Sequence, residues 1–296
     1  MVIENLLVYG DSFTWGEGLE LYLNTPKWIS QRSKKSEWPE LYPIQDSLSI
    51  GFREFNRYPN IVSRFYNLQL FTDPNNGGSI QSLIRNLFQV LNSDIKNSLL
   101  IIQFSSFTRN LIHTHNVIDE NLDCPCDFCM HPDIHKQSIS FYDIFDILER
   151  GTNNESKRIL LKKYIEKTHL VDFDNKFDSL QKLRELETEY YKFHLNFFID
   201  KFIIPLEKNN IKTYFIDSWE YETSNVLKTN DYFNQNTLNL LGFDGKEYNN
   251  YIEWENTFPY IRIKDEFPST QNSHPTLIQH QYLANSIINL IKKINK

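Results

Sequence analysis

The chain has 296 residues, 40% of them apolar and 15% aromatic, with a formal net charge of −7. That is enough apolar material for one large core, and an acidic balance without long basic runs excludes a dedicated nucleic-acid binder. No stretch approaches the ~18 consecutive apolar residues of a membrane span.

Leu6-Leu7-Val8-Tyr9 is a short apolar run that stops at Gly10 and empties into Asp11-Ser12. This reads as a buried strand over 2–9 followed by a loop. The same residues leave no room for a basic, apolar leader, so the reading is a chain without a signal peptide. Residues 19–57 are polar and turn-rich, with Pro26, Pro39 and Pro43, and read as an excursion over the strand ends. Pro59 to Tyr66 predicts a helix with Pro near its first position, ended by Asn67, and Leu68-Gln69-Leu70-Phe71 a second strand. After the loop 73–79, Ile80, Leu83, Ile84, Leu87, Phe88 and Leu91 share one helical face, with Ser79 as N-cap. Leu99 to Phe104 is a continuous apolar strand of the kind buried on both faces of a parallel sheet.

From 110 to about 180 the periodicity weakens, and this stretch reads as an insert in a single domain over 1–296. Helical spacing returns near 180, with Leu186, Tyr190, Phe193, Phe197 and Ile204 in phase until Pro205. Ile211 to Asp217 predicts a further strand, 218–270 is irregular and aromatic, and Leu277 to Ile294 closes as a helix. Strands alternating with helices predict a three-layer α/β/α sandwich around a mainly parallel sheet, with right-handed crossovers.

Ligands bind such sheets at the carboxyl ends of the strands, which is where Ser12 falls. A serine hydroxyl is a poor nucleophile until a base stands within hydrogen-bond reach and preorganised donors await the oxyanion. His274, in Ser273-His274-Pro275-Thr276 directly before the last helix, is the candidate base. Gly77-Gly78 lets a backbone approach a substrate closely. The G-x-S-x-G nucleophile elbow is not matched, because Thr14 lies two residues after Ser12.

The run Gly10-Asp11-Ser12-Phe13-Thr14-Trp15-Gly16-Glu17-Gly18 resembles the first block of the SGNH (GDSL) hydrolases. The resemblance implies a flavodoxin-like sandwich with Ser12 as nucleophile. Asn76-Gly77-Gly78-Ser79 resembles the family's glycine block, which implies that the Gly78 N–H joins the Ser12 N–H in an oxyanion hole. The third block departs from the usual pattern: Ser105-Ser106-Phe107-Thr108-Arg109 has no Gly-x-Asn-Asp and is similar to a phage-type subset with Thr/Ser-x-x-x-Arg. Ser105 then replaces the asparagine as an oxyanion donor, and Arg109 either binds an anionic part of the substrate or is a structural arginine. The last block, Ser273-His274-Pro275-Thr276, lacks the aspartate that the family places two or three residues before the histidine. Gln271 and Asn272 stand there and could orient His274 without supplying charge. Asp265 or Glu266 is an alternative partner, and a Ser-His dyad is another. His280 reads as a packing or surface position of the helix. The resemblance spans about 1–18, 59–109 and 186–294.

The expected function is a serine esterase or deacylase cleaving an ester, such as an O-acetyl group, on a carbohydrate or lipid through an acyl-Ser12 intermediate. No cofactor is needed for that chemistry. The alternative is a catalytically degenerate SGNH-fold binding or structural protein, and an acyltransferase is a third reading. Separately, Cys124-x-Cys126-x-x-Cys129-x-His131 offers three thiolates and one imidazole, the donor set of a structural zinc site, with His113, His115 and His135 nearby. Reduced thiols or a redox pair are the other readings. Three clustered cysteines are unlike a secreted disulfide framework, so the expected origin is reducing and cytoplasmic, with a virion as an open destination.

Overall fold

The computed structural model describes residues 2–16, 19, 47–72, 80–104, 111–113, 138–140, 185, 188–189, 191–258 and 275–296. Among the described residues, four parallel strands form the central sheet: β1 (Asn5–Tyr9), β2 (Gln69–Thr72), β3 (Ser98–Gln103) and β6 (Ile211–Ile216), in the order β2-β1-β3-β6. Leu6 is level with Leu70 and Leu99, and Leu99 with Lys212, so the strands end together at one edge. Two further strands, β4 (Leu111–His113) and β5 (Ser138–Ser140), pair with each other antiparallel, outside the central sheet. A short hairpin, β7 (Leu240–Leu241) with β8 (Glu247–Tyr248), makes a third sheet.

β1 and β3 carry apolar residues in unbroken runs because both faces of the sheet are covered. Leu7, Leu100, Ile102 and Phe215 pack with the helix α4 (Ile80–Leu91) and with residues 191–208. Leu6, Val8, Leu99, Ile101 and Ile216 pack on the opposite face with α3 (Tyr58–Tyr66) and the closing helix α9 (Leu277–Ile294). The crossover from β1 to β2 uses one face, and those from β2 to β3 and β3 to β6 use the other. A single crossover hand requires this alternation when the strand order reverses.

The ends of these elements follow local rules. Pro59 lies in the first turn of α3, and Asn67 closes that helix in the left-handed conformation (φ 54°). This is one of the few conformations asparagine adopts more readily than other non-glycine residues. α9 begins with a full capping box: the Thr276 hydroxyl accepts from the Gln279 N–H, and the Gln279 side chain accepts from the Thr276 N–H.

Two expectations need correction. The helix through 191–198 does not stop at Pro205. It widens into a π-helical turn, Ile199–Ile203, and runs on as α5 (Ile204–Lys208). The wider turn, with the Ile204 N–H bonded to the Ile199 carbonyl, lets the chain pass a proline that has no N–H to give. The phase of this helix is also different. Tyr191, Leu195, Phe198, Ile199, Phe202 and Ile203 are buried, while Phe193, Phe197 and Ile204 face solvent. Apolar residues occur all round this helix, so spacing alone could not choose the face.

The second correction concerns 218–258, which is ordered as α6 (Tyr221–Leu227), α7 (Asp231–Gln235), the β7-β8 hairpin and α8 (Tyr251–Glu255). Asn230 and Asn250 cap α7 and α8 with their side chains, and Tyr251 and Trp254 are fully buried. These elements are too short for hydrophobic periodicity to register. Ser47–Asn56, inside the stretch expected to be an excursion, is the helix α2.

The phase of the 191–208 helix is testable. Phe198→Ala should cost about 3–5 kcal/mol in urea unfolding, and Phe193→Ala at most about 0.5 kcal/mol. The reverse ranking would restore the phase read from spacing.

Candidate active site

The strand order reverses between β1 and β3, which makes their carboxyl ends a topological switch point, the usual ligand position in an open α/β sheet. Ser12 stands there, as the first residue of the one-turn helix α1 (Ser12–Trp15) that follows β1. Gly10 is required by close packing: a Cβ on it would lie 2.1 Å from the Thr14 hydroxyl and 3.1 Å from the Gln103 Cβ.

Asp11 fixes this turn. Its carboxylate is 1% exposed, with Oδ1 accepting from the Phe13 N–H at 2.9 Å and Oδ2 from the Trp219 indole N–H at 3.0 Å. The first bond is an N-cap to α1. The second reaches from the end of β6, past the end of β3, to the end of β1. Phe13 stacks on Trp219 at 5.3 Å and lies 5.9 Å from the Tyr251 ring. Asp11, Phe13, Trp219 and Tyr251 thus form a packed floor where β1 turns into α1.

Asp217, at the end of β6, is a second buried carboxylate at this edge among the described residues. Its Oδ1 accepts from the Ser218 N–H at 2.9 Å. Its Oδ2 accepts from the Ser224 hydroxyl at 2.7 Å and the Asn250 amide at 3.2 Å, with Lys228 at 3.5 Å. This ties α6 and the start of α8 to the sheet. Both acids hold the backbone in place.

A polar seam runs beside the floor on the α3/α9 face. The Thr14 hydroxyl donates to Gln103 Oε1 at 2.9 Å and lies 3.0 Å from the Tyr58 hydroxyl, and all three residues are buried. The Tyr58 N–H donates to His280 Nδ1 at 3.3 Å, and the two rings stack at 5.8 Å. An imidazole that accepts at Nδ1 carries its proton on Nε2 when neutral. His280 is fully buried, a packing position of α9. The seam therefore joins Thr14, two residues past Ser12, to His280, six residues past His274. Burial, more than any other influence, pushes the Tyr58 and Tyr251 phenols well above their ordinary value.

Of the residues singled out in the sequence, Ser12 is placed by its backbone. Its side chain, Gly78, Ser105, Arg109, Gln271, Asn272, His274 and the cluster Cys124, Cys126, Cys129 and His131 lie outside the described residues. Among the described residues no group of three His, Cys, Asp or Glu side chains could hold a metal ion, and no helix is long and apolar enough to cross a membrane. Sequence reasoning missed the anchoring of Asp11 by Trp219 and the seam through Gln103 and Tyr58. Their partners are 44 to 222 positions apart, and no local pattern signals such pairs. Compared with family models, with curated proteins and with solved structures, the chain matches none.

The Tyr251 hydroxyl is buried with no hydrogen-bond partner among the described residues. An unmet hydroxyl costs about 1–3 kcal/mol, so Tyr251→Phe should leave stability unchanged or raise it. The gap should widen at alkaline pH. Above about pH 10 the unfolded chain gives up a phenol proton that folded Tyr251 keeps, so wild-type stability falls by about 1.4 kcal/mol per pH unit relative to the variant. Urea midpoints from pH 8 to 11 would show this, and a variant less stable than wild type throughout would reveal a partner for the hydroxyl.

Proposed function

We propose that the chain is an SGNH-type serine hydrolase that cleaves an ester on a carbohydrate or lipid. The observation that carries the reading is the seam from Thr14 through Tyr58 to His280. It draws the start of α9, which follows His274 in the sequence, toward the helix that begins at Ser12. The switch-point position of Ser12 and the anchored turn before it support the same reading.

In this reading the Ser12 hydroxyl oxygen attacks the ester carbonyl and His274 takes its proton. The resulting oxyanion is held by the N–H groups of Ser12 and Gly78, with Ser105 as a third donor. Collapse breaks the carbon–oxygen bond to the alcohol, which leaves with the proton from His274. Water then attacks the acyl-Ser12 ester, giving up a proton to His274, and frees the carboxylic acid and the serine. The charge formed on His274 would be offset by Asp265 or Glu266, or would go without a counter-charge if Gln271 or Asn272 only accepts its ring N–H. The neutral pair favours the second reading, an SGNH-fold binding protein without turnover.

Labelling by a fluorophosphonate, together with hydrolysis of p-nitrophenyl acetate, separates the two readings. The wild type should label once and turn over, and Ser12→Ala and His274→Ala should each lose at least about 1,000-fold in turnover, with Ser12→Ala unlabelled. An unlabelled wild type that binds an acylated glycan would leave the binding reading.

We also infer that the insert over 110–180 holds a structural Zn²⁺ through Cys124, Cys126, Cys129 and His131. The donor set suits tetrahedral zinc, and β4 pairs with β5 on either side of the segment that contains it. The ion would staple a lid or specificity loop while Ser12 does the chemistry. Protein purified without chelator should contain about one zinc per chain, bound less tightly as pH falls and the thiolates protonate. Three alkylatable thiols in a metal-free protein of unchanged stability would rule the site out.

A further inference from the structure

Past α7 the chain runs along the edge of β6 and bridges it at Phe215. The Phe215 N–H donates to the Asn236 carbonyl at 2.9 Å, and the Phe215 carbonyl accepts from the Leu238 N–H at 2.7 Å. The chain then turns into β7, where the Leu241 N–H donates to the Ser286 hydroxyl of α9 at 2.8 Å. Between β6, this segment and α9 lies a cavity of about 250 Å³. Its walls are pinned by further bonds: the Thr237 hydroxyl donates to the Phe233 carbonyl, and the Ser286 hydroxyl to the Tyr282 carbonyl. Among the described residues, none at the carboxyl ends of β1 and β3 lines it.

The polar lining is of one kind. Three carboxamides, Gln235, Asn239 and Asn289, face the same space as the half-buried phenol of Tyr214. None of the four side chains has a hydrogen bond among the described residues. Each carboxamide offers two N–H donors and a carbonyl acceptor, so it can donate to one hydroxyl and accept from its neighbour. The charged groups at the cavity cancel: Lys293 Nζ lies 3.5 Å from Glu247 Oε1. A charged ligand would therefore find no spare counter-ion, and a wholly apolar one would strip water from the amides without replacing it. A sugar ring meets both demands, because its hydroxyls donate and accept and its C–H face can lie on the Tyr214 ring. The volume is below the roughly 300–1,000 Å³ of sites that enclose drug-sized ligands, which leaves room for one ring.

We propose that this cavity is a sugar-binding site, separate from the candidate active site, that takes one neutral pyranose unit of a glycan. The proposal goes beyond the hydrolase reading and does not rest on it. The carboxamides of Asn239 and Asn289 hold the hydroxyls, one from the segment beside β6 and one from α9.

The probes are methyl β-D-glucopyranoside, methyl β-D-galactopyranoside and methyl N-acetyl-β-D-glucosaminide, titrated singly onto the full chain and read by saturation-transfer NMR. At least one should bind with a Kd of about 1–10 mM, the range expected of so small a ligand. Asn239 and Asn289 are exposed, so Asn239→Ala and Asn289→Ala should unfold at the wild-type temperature. The double variant should bind at least about tenfold more weakly. Asn285→Ala, exposed on α9 and outside the cavity, should bind as the wild type does. Ser12→Ala should do the same, and a sugar that needs Ser12 would sit in the candidate active site and overturn the proposal. No binding of any probe at about ten times the expected Kd overturns it too, as does binding that the double variant keeps. Methyl β-D-glucuronide, which carries a carboxylate, should bind no tighter than the glucoside. Tighter binding of the glucuronide overturns the assignment of a neutral ligand.

Discussion

The carboxylate of Asp11 cannot reach water, so it must be satisfied by protein, and meeting that demand shapes the edge of the sheet. One oxygen takes the Phe13 N–H and forces the chain into a helical turn immediately after β1. The other takes the indole of Trp219 and draws the end of β6 over the end of β3. Removing either donor would leave a buried charge short of a hydrogen bond, a penalty of about 1–3 kcal/mol or more. The backbone position of Ser12 is thus fixed by the hydrogen bonds of its neighbour.

The two faces of the sheet are built on different terms. The face covered by α4 and 191–208 is almost wholly apolar, with Phe104 in ring contact with Phe198, Phe215 and Phe233, and Phe215 with Phe233. Such a face tolerates rearrangement, because hydrophobic burial is nondirectional. The opposite face carries the seam of Thr14, Gln103, Tyr58 and His280 inside an otherwise apolar layer. Buried hydrogen bonds demand one geometry, so this face sets how α3 and α9 meet the strand ends. The Gln103 amide nitrogen remains without a partner among the described residues, so the seam is not fully closed.

The parts of the fold that were legible in the sequence are those with long periodic signals. β1, β3, α4 and α9 could be read from runs or stripes of apolar residues, and the bounds of α9 follow from Thr276 and Gln279 at its start. The 191–208 helix was legible in type but not in phase, because phenylalanine occurs on every side of it. The elements of 218–258 were missed because helices of five to seven residues carry too few positions to define a face. Around the candidate site, Ser12 stood out by its place after a strand.

The hydrogen bond from the Tyr58 N–H to His280 joins residues 222 positions apart. On a ribosome the strands β1, β2, β3 and β6 emerge before α9, so they can pair while one face of the sheet still lacks a helix that covers it. During that interval Leu283, Ala284, Ile287 and Ile291 have not yet reached Leu6, Val8, Leu99 and Ile101, and the α3 backbone waits for its imidazole. Contacts of such long sequence separation form late and slowly, and exposed strand faces attract one another in the meantime. Synthesis of α9 is therefore the step that closes this face of the sheet, and truncation within α9 should yield a species that engages chaperones rather than a smaller working protein.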